Sequence, residues 1–165
     1  TAATFGGNVT TTGVQDVTAG TINTNGTHTT TASDILLTGN VILEAATALT
    51  TGAGAGNITV TGTIDSDAGN TWALDLTADT GSIDLQSDVG ATDALASLTV
   101  NSATAATFGG NVTTTGVQDV TATTINTNGT HTTTDSDIDL NGAVELQAAT
   151  ALTTGADAGD VAVAA

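Results

Sequence analysis

Apolar residues alternate with polar or small residues over several short stretches of this chain. Four segments follow the order apolar, any, apolar, any, small, any, apolar, at residues 3–9, 35–41, 58–64 and 83–89. Because successive side chains of a strand point to opposite faces, this pattern predicts short β-strands with one buried face. Weaker alternation at 17–22, 72–76 and 98–100 predicts further strands between them.

The chain contains an internal repeat. Its first nine residues recur unchanged 103 residues later, and residues 104–165 match residues 1–62 at 49 of 62 positions without a gap. We therefore interpret 1–103 as one full repeat and 104–165 as part of a second. The prediction is a single continuous unit over 1–165, forming a section of a longer array.

The two copies identify which face of the predicted strands is buried. Leu36 becomes Asp139 and Ile42 becomes Glu145, whereas the apolar residues beside them return unchanged. Positions of one parity therefore tolerate charge and those of the other do not, as in a half-buried strand. The residues predicted to face the core are Phe5, Val9, Ile35, Leu37, Val41, Leu43, Ile58, Val60, Ile64, Leu74, Leu76, Ile83, Leu85, Val89, Phe108, Val112, Ile138, Leu140, Val144 and Leu146.

The spacing of the strand motifs predicts the fold class. The motifs begin 23 to 32 residues apart, which is too far for hairpins, and the stretches between them lack a helical period. If each strand motif stacks on the equivalent motif of the next coil, the chain forms an all-β parallel β-helix, or β-solenoid, with about 20 to 30 residues per coil. The Gly or Ser inside each motif is predicted to form a corner. A helix over residues 41–49 is the alternative; the segment is short and a Gly-rich stretch follows it.

The charge of the chain limits the classes of partner that can bind to it. Seventeen acidic residues and no Lys or Arg give a formal net charge of −17. Nucleic acid and anionic membrane surfaces would be repelled, and no apolar run is long enough for membrane insertion. His28 and His131 each lie alone in a Thr-rich stretch, so we expect them to be exposed and without a metal.

Neither catalysis nor a cofactor is expected. Enzymes with this fold that cleave acidic polysaccharides need a base and a cationic group, and the chain has no Lys or Arg. Asp135, Asp137 and Asp139 have the spacing that begins a calcium loop, but Leu140 occupies the position of the required Gly and Glu145 falls one residue early. A solvent-facing strand is the preferred interpretation, with weakly bound surface Ca²⁺ left open.

The chain resembles a known family over its whole length. The run GNITVTGTIDSDAGNTWALDLTADTGSIDLQSDVGATDALASLTVNSA resembles the repeats of large bacterial surface proteins related to filamentous haemagglutinin. The resemblance implies a right-handed β-helix exported to the bacterial cell surface, where it serves as the shaft of a filament or adhesin. Its implied partners are adjacent repeats or further copies, end to end and laterally. No ligand-binding residue follows from it.

Two other functions remain open at this point. Flat Thr-rich surfaces, such as Thr59, Thr61 and Thr63 or Thr10 and Thr12, are an alternative that would bind ice or a polysaccharide. A phage or secretion-system fibre is a further alternative with the same architecture.

Overall fold

A computed structural model describes residues 1–156 and 158–165, and these residues form fourteen parallel β-strands and no helix. The alternative of a helix over 41–49 is therefore wrong, since this stretch lies within a strand. No helix in the described ranges is long and apolar enough to cross a membrane. The strands are β1 (Ala2–Phe5), β2 (Val9–Thr10), β3 (Gln15–Thr29), β4 (Ile35–Thr50), β5 (Ile58–Val60), β6 (Ile64–Ser66), β7 (Ala73–Thr77), β8 (Ser82–Leu85), β9 (Ser97–Ser102), β10 (Ala105–Phe108), β11 (Val112–Thr113), β12 (Gln118–Thr132), β13 (Ile138–Thr153) and β14 (Val161–Ala164).

The strands stack in register on three sides of a coil, so the prediction of a parallel β-solenoid is confirmed, with about 8 turns of about 21 residues. Each side is defined by the inward residues that pair from coil to coil. Side 1 carries Ala3, Ile22, Val41, Ile64, Val89, Val112, His131 and Leu152. Side 2 carries Val9, His28, Leu49, Leu76, Val100, Val120, Leu140 and Val163. Side 3 carries Gln15, Ile35, Ile58, Ile83, Ala106, Ile125 and Val144.

The small residue of each predicted motif lies at a bend. The motif at 3–9 is therefore two strands, β1 and β2, and the motif at 58–64 runs from β5 to the start of β6. Gly39 adopts a φ of +138°, and a Cβ at this position would lie 1.8 Å from the backbone oxygen of Ala19 in the neighbouring coil. A side chain at this corner would therefore overlap with the coil beneath it.

The core is the narrow column of inward side chains enclosed by the three sides. Of the residues predicted to face it, those that are fully buried are Ile35, Leu37, Val41, Leu43, Ile58, Val60, Ile64, Leu74, Leu76, Ile83, Leu85, Val89, Phe108, Val112, Ile138 and Leu140. Phe5, Val9 and Val144 are half-buried, the first two on the first coil.

Leu146 has the predicted inward phase, since it pairs with the buried Thr127, but it is not itself buried. This side chain is 65% exposed, whereas its counterpart Leu43 is 0% exposed. Leu43 lies between Thr24 and Ser66 on neighbouring coils. Leu146 pairs with Thr127 of the preceding coil and lies at the carboxyl-terminal end of the described stack, where no further coil covers it.

Threonines that follow the long strands donate hydrogen bonds into the adjoining bends. The hydroxyl of Thr30 donates to the Ser33 carbonyl, and that of Thr154 donates to the Gly159 carbonyl at 2.8 Å. Thr51 occupies the same place one coil after Thr30 and is 0% exposed. Its hydroxyl has no hydrogen-bond partner within the part of the chain that the structure describes.

We expect Thr51→Val to stabilise the protein by about 1 kcal/mol, because it removes a buried hydroxyl that lacks a partner and keeps the side-chain shape. Urea denaturation followed by circular dichroism measures the change. The matched control is Thr30→Val, which removes a satisfied hydrogen bond and is expected to destabilise by about 1 kcal/mol. Equal losses in both variants would contradict this account of Thr51.

Candidate functional site

The enclosed cavity between the sides of the described solenoid is too small for a ligand. A cavity of about 10 Å³ lies between the sides and is lined mainly by aliphatic side chains, including Leu37, Leu43 and Leu49. A volume of this size is at the lower limit for a single water molecule. The surfaces available to a partner are therefore the outer faces of the three sides and the two ends of the stack.

The three aspartates of the calcium-like spacing are placed at a corner and on a strand. Asp135 accepts a hydrogen bond from the backbone N–H of Ala156 at 2.9 Å, and Asp137 accepts one from that of Asp160 at 2.9 Å. Asp139 lies on β13, paired in register with Asp119 of the coil before. Across the described residues, no group of three or more His, Cys, Asp or Glu side chains is arranged to hold a metal ion.

Acidic and amide side chains connect the corners of successive coils. The Oδ1 atom of Asp34 accepts from the N–H of Asn57 at 2.7 Å, and Oδ1 of Asn57 accepts from the N–H of Ser82 at 2.9 Å. These bonds satisfy backbone donors where the chain turns and strand pairing is interrupted. A second chain of such bonds links Asp88, Asn111 and Thr130.

Each copy contains a buried polar cluster around its histidine. In the first copy, His28 Nδ1 lies 3.2 Å from Gln15 Oε1, and His28 Nε2 lies 2.6 Å from the Thr24 hydroxyl. Gln15 Nε2 donates to the Thr29 carbonyl at 2.8 Å, which leaves its oxygen free to face the imidazole. The Phe5 ring packs edge-on against His28, with ring centroids 5.4 Å apart.

The second copy reproduces the cluster. His131 Nδ1 lies 3.0 Å from Gln118 Oε1 and His131 Nε2 lies 2.6 Å from the Thr127 hydroxyl, while Gln118 Nε2 donates to the Thr132 carbonyl at 2.9 Å. This arrangement assigns the proton to Nδ1 and makes Nε2 the acceptor of the Thr127 hydroxyl. Phe108 packs edge-on against the ring at 5.3 Å. Both imidazoles are therefore held in one neutral tautomer.

The expectation that the histidines are exposed was wrong. His28 and His131 are 2% and 0% exposed. Burial lowers the pKa of His28, and it lowers the pKa of His131 to about 4. The inward orientation of both histidines could have been predicted from strand alternation, because each histidine lies an even number of residues after the inward Ile22 or Ile125.

We expect stability to fall with pH between about 6.5 and 4. The unfolded histidine titrates near 6.5, and His131 in the folded protein titrates near 4. The unfolded state therefore binds more protons in this window, and the stability present above pH 6.5 decreases as the pH falls through it. For His131 alone the loss is on the order of 3 kcal/mol at pH 4.

Denaturation at a series of pH values measures this loss. The comparison is with His28→Gln/His131→Gln, which keeps the acidic residues and removes both imidazoles. The double variant is expected to have a smaller slope of unfolding free energy against pH. An identical slope in both proteins would contradict the assignment.

The outer surface of the first copy carries a short Thr ladder. Thr10, Thr29, Thr50 and Thr77 pair in register on side 2 and point outward. The expected Thr surface around Thr59 does not form an array, because its neighbours on adjacent coils are Leu36 and Asp84.

The two ends of the stack present strand edges. β1 and β2 pair with β3 through one edge, and β14 pairs with β13 through one edge. Leu146, Val161 and Val163 are exposed at the carboxyl-terminal end. Strand edges of this kind accept a further parallel strand.

A search for similar proteins found no match to this chain among family models, curated proteins or solved structures.

Proposed function

We propose that this chain is a structural section of the shaft of an extracellular bacterial filament or adhesin, built by stacking repeats coil on coil. The observation that carries the proposal is the junction between the two copies. Copy one ends at residue 103, yet β10 of the second copy pairs with β8 of the first, and β12 pairs with β9. The same backbone pairing that joins coils within a copy therefore joins one copy to the next.

Because copies join in this way, the main effect of each repeat is to lengthen the rod. Neighbouring coils are about 4.8 Å apart, so about 8 turns form a rod about 40 Å long. Added copies would lengthen the rod without a new interface. The closed interior and the absence of a metal-binding group among the described residues fit a shaft better than a ligand-binding domain.

The surface charge fits a soluble shaft, and the family resemblance supports a location at the bacterial cell surface. An uncompensated charge of −17 keeps shafts soluble and apart. The resemblance to haemagglutinin-like repeats adds the expectation of export to the bacterial cell surface. A phage or secretion-system fibre uses the same architecture and is the principal alternative.

Microscopy of producing cells tests the proposal. Antibodies raised against the 165-residue chain are expected to label intact cells and to decorate thin, straight fibres in negative stain. Labelling that requires permeabilised cells, or native material consisting of compact particles, would overturn it. Label on phage or on isolated secretion needles would favour the alternative.

The Thr ladder of side 2 favours a second candidate, binding to ice or a polysaccharide. Regular hydroxyl spacing on a flat face is the feature that such binding needs, and the ladder supplies it over four coils. A thermal hysteresis measurement on the purified chain, together with binding to immobilised glycans, decides this candidate. No effect in either assay would remove it.

We expect the shaft to be stabilised by salt and more strongly by divalent cations. The chain has no Lys or Arg to balance its acidic residues, so like charges on neighbouring coils repel until ions screen them. Raising ionic strength, or adding millimolar Ca²⁺, is expected to raise the melting temperature and to promote lateral association of fibres. Sodium chloride at matched ionic strength is the control. An unchanged melting temperature between chelator and Ca²⁺ would contradict the expectation.

A further inference from the structure

Equivalent residues of the two copies lie on different sides of the solenoid. Ile35 is on side 3, whereas its counterpart Ile138 pairs with Gln118, which in turn pairs with Leu98, on side 2. Val9 is on side 2 and its counterpart Val112 is on side 1. The whole second copy is displaced by one side relative to the first.

The register gives the size of this displacement. On side 1, Ala3 pairs with Ile22, and successive pairings then connect Val41, Ile64 and Val89. Val89 therefore lies four complete coils after Ala3. Ala106, the counterpart of Ala3, lies two sides further along, on side 3. One repeat of 103 residues therefore occupies four and two-thirds coils.

We infer that successive repeats turn by one third of a revolution, so an array presents each surface feature of the repeat in three directions around the shaft. This inference extends the proposed function, because it requires further copies in line. Three repeats, or fourteen coils, would return a feature to its starting side. At about 4.8 Å per coil, each copy would advance about 22 Å along the axis and the full period would be about 67 Å.

The Thr ladder shows the effect within this chain. Thr10, Thr29 and Thr50 stack on side 2. Their counterparts Thr113, Thr132 and Thr153 stack on side 1. A ligand that needs one long flat face is therefore not matched by an array. A partner with a footprint of about 22 Å or less along the shaft meets an equivalent surface from any of three directions.

Cysteine cross-linking tests the displacement, because the chain has no cysteine of its own. Thr107 pairs with Asp84 on side 3. Both side chains point outward, because each lies between two inward residues of its strand. Neighbouring strands bring Cα atoms within disulfide range. Oxidation of Asp84→Cys/Thr107→Cys is therefore expected to give a complete intramolecular cross-link, read by mass and by gel mobility.

The comparison pair is Asp88→Cys/Ala105→Cys. A repeat with a whole number of coils would place Ala106 on side 1, paired with Val89, and would therefore pair Ala105 with Asp88 and favour this second pair. A cross-link in the first pair and none in the second supports the inference. Cross-linking of the second pair in preference, or of neither pair in protein with an unchanged circular dichroism spectrum, would overturn it.

This outcome is independent of the test for a surface filament. The cross-link reports the phase within the purified chain, whereas labelling of intact cells reports its use as a shaft. Failure of either one therefore leaves the other result interpretable.

Discussion

Leu37→Asp is expected to unfold the chain or destabilise it by more than about 4 kcal/mol. Leu37 is 1% exposed and packs in the core between coils. An aspartate there would lose the apolar contacts and bury a carboxylate in a chain that has no Lys or Arg to pair with it. Val60→Asp, one coil further along on the same side, is expected to behave alike. Thermal and urea denaturation of the purified variants measure the effect.

The neighbouring position provides the control. Leu36 points outward on the same strand, and its counterpart in the second copy is already Asp139. Leu36→Asp is therefore expected to cost less than about 1 kcal/mol. Similar losses at positions 36 and 37 would mean that the strand does not have the inward face described here.

Gly39→Ala is expected to be the most damaging small substitution. The added Cβ would lie 1.8 Å from the Ala19 carbonyl oxygen, in a backbone conformation with a φ of +138°. Strain of this backbone type costs on the order of 1–3 kcal/mol, and separating the two coils to relieve the overlap would weaken their hydrogen bonds as well. A fall in the urea midpoint with reduced expression of folded protein is the expected result.

Gly20→Ala is the matched control at the same corner. A Cβ at Gly20 meets only the backbone of Thr1, at 3.4 Å, and the second copy has Thr123 at this place. We expect a change of less than about 0.5 kcal/mol. If Gly39→Ala were equally mild, the close approach of coils at this corner would be disproved.

The inward faces could be predicted because the charged differences between β4 and its second-copy counterpart β13 fall on outward positions. Leu36 and Ile42 become acidic while Leu37 and Val41 keep their apolar character, and this difference has the two-residue period of a strand. The stacking of like strands followed from their spacing. The exposure of Leu146 could not be predicted, because burial also depends on a covering coil, which strand alternation alone does not report.

The histidine clusters were missed for a different reason. His28 lies among threonines, and a polar stretch indicates exposure unless a partner satisfies its polar atoms. That partner, Gln15, is thirteen residues earlier and reaches the imidazole only when the coil closes. The rotation between copies was also hidden, because coils range from 19 residues between Ile22 and Val41 to 27 between Leu49 and Leu76. No constant period was available to divide into the repeat.

The stacking of coils has a mechanical consequence. Hydrogen bonds between neighbouring coils run along the axis of the rod, so a pull on its two ends loads them one coil at a time. A coil that opens would release about 21 residues, or about 70 Å of extended chain, in place of a rise of about 4.8 Å. A shaft of this kind would yield stepwise under tension and lengthen many-fold before any covalent bond carried the load.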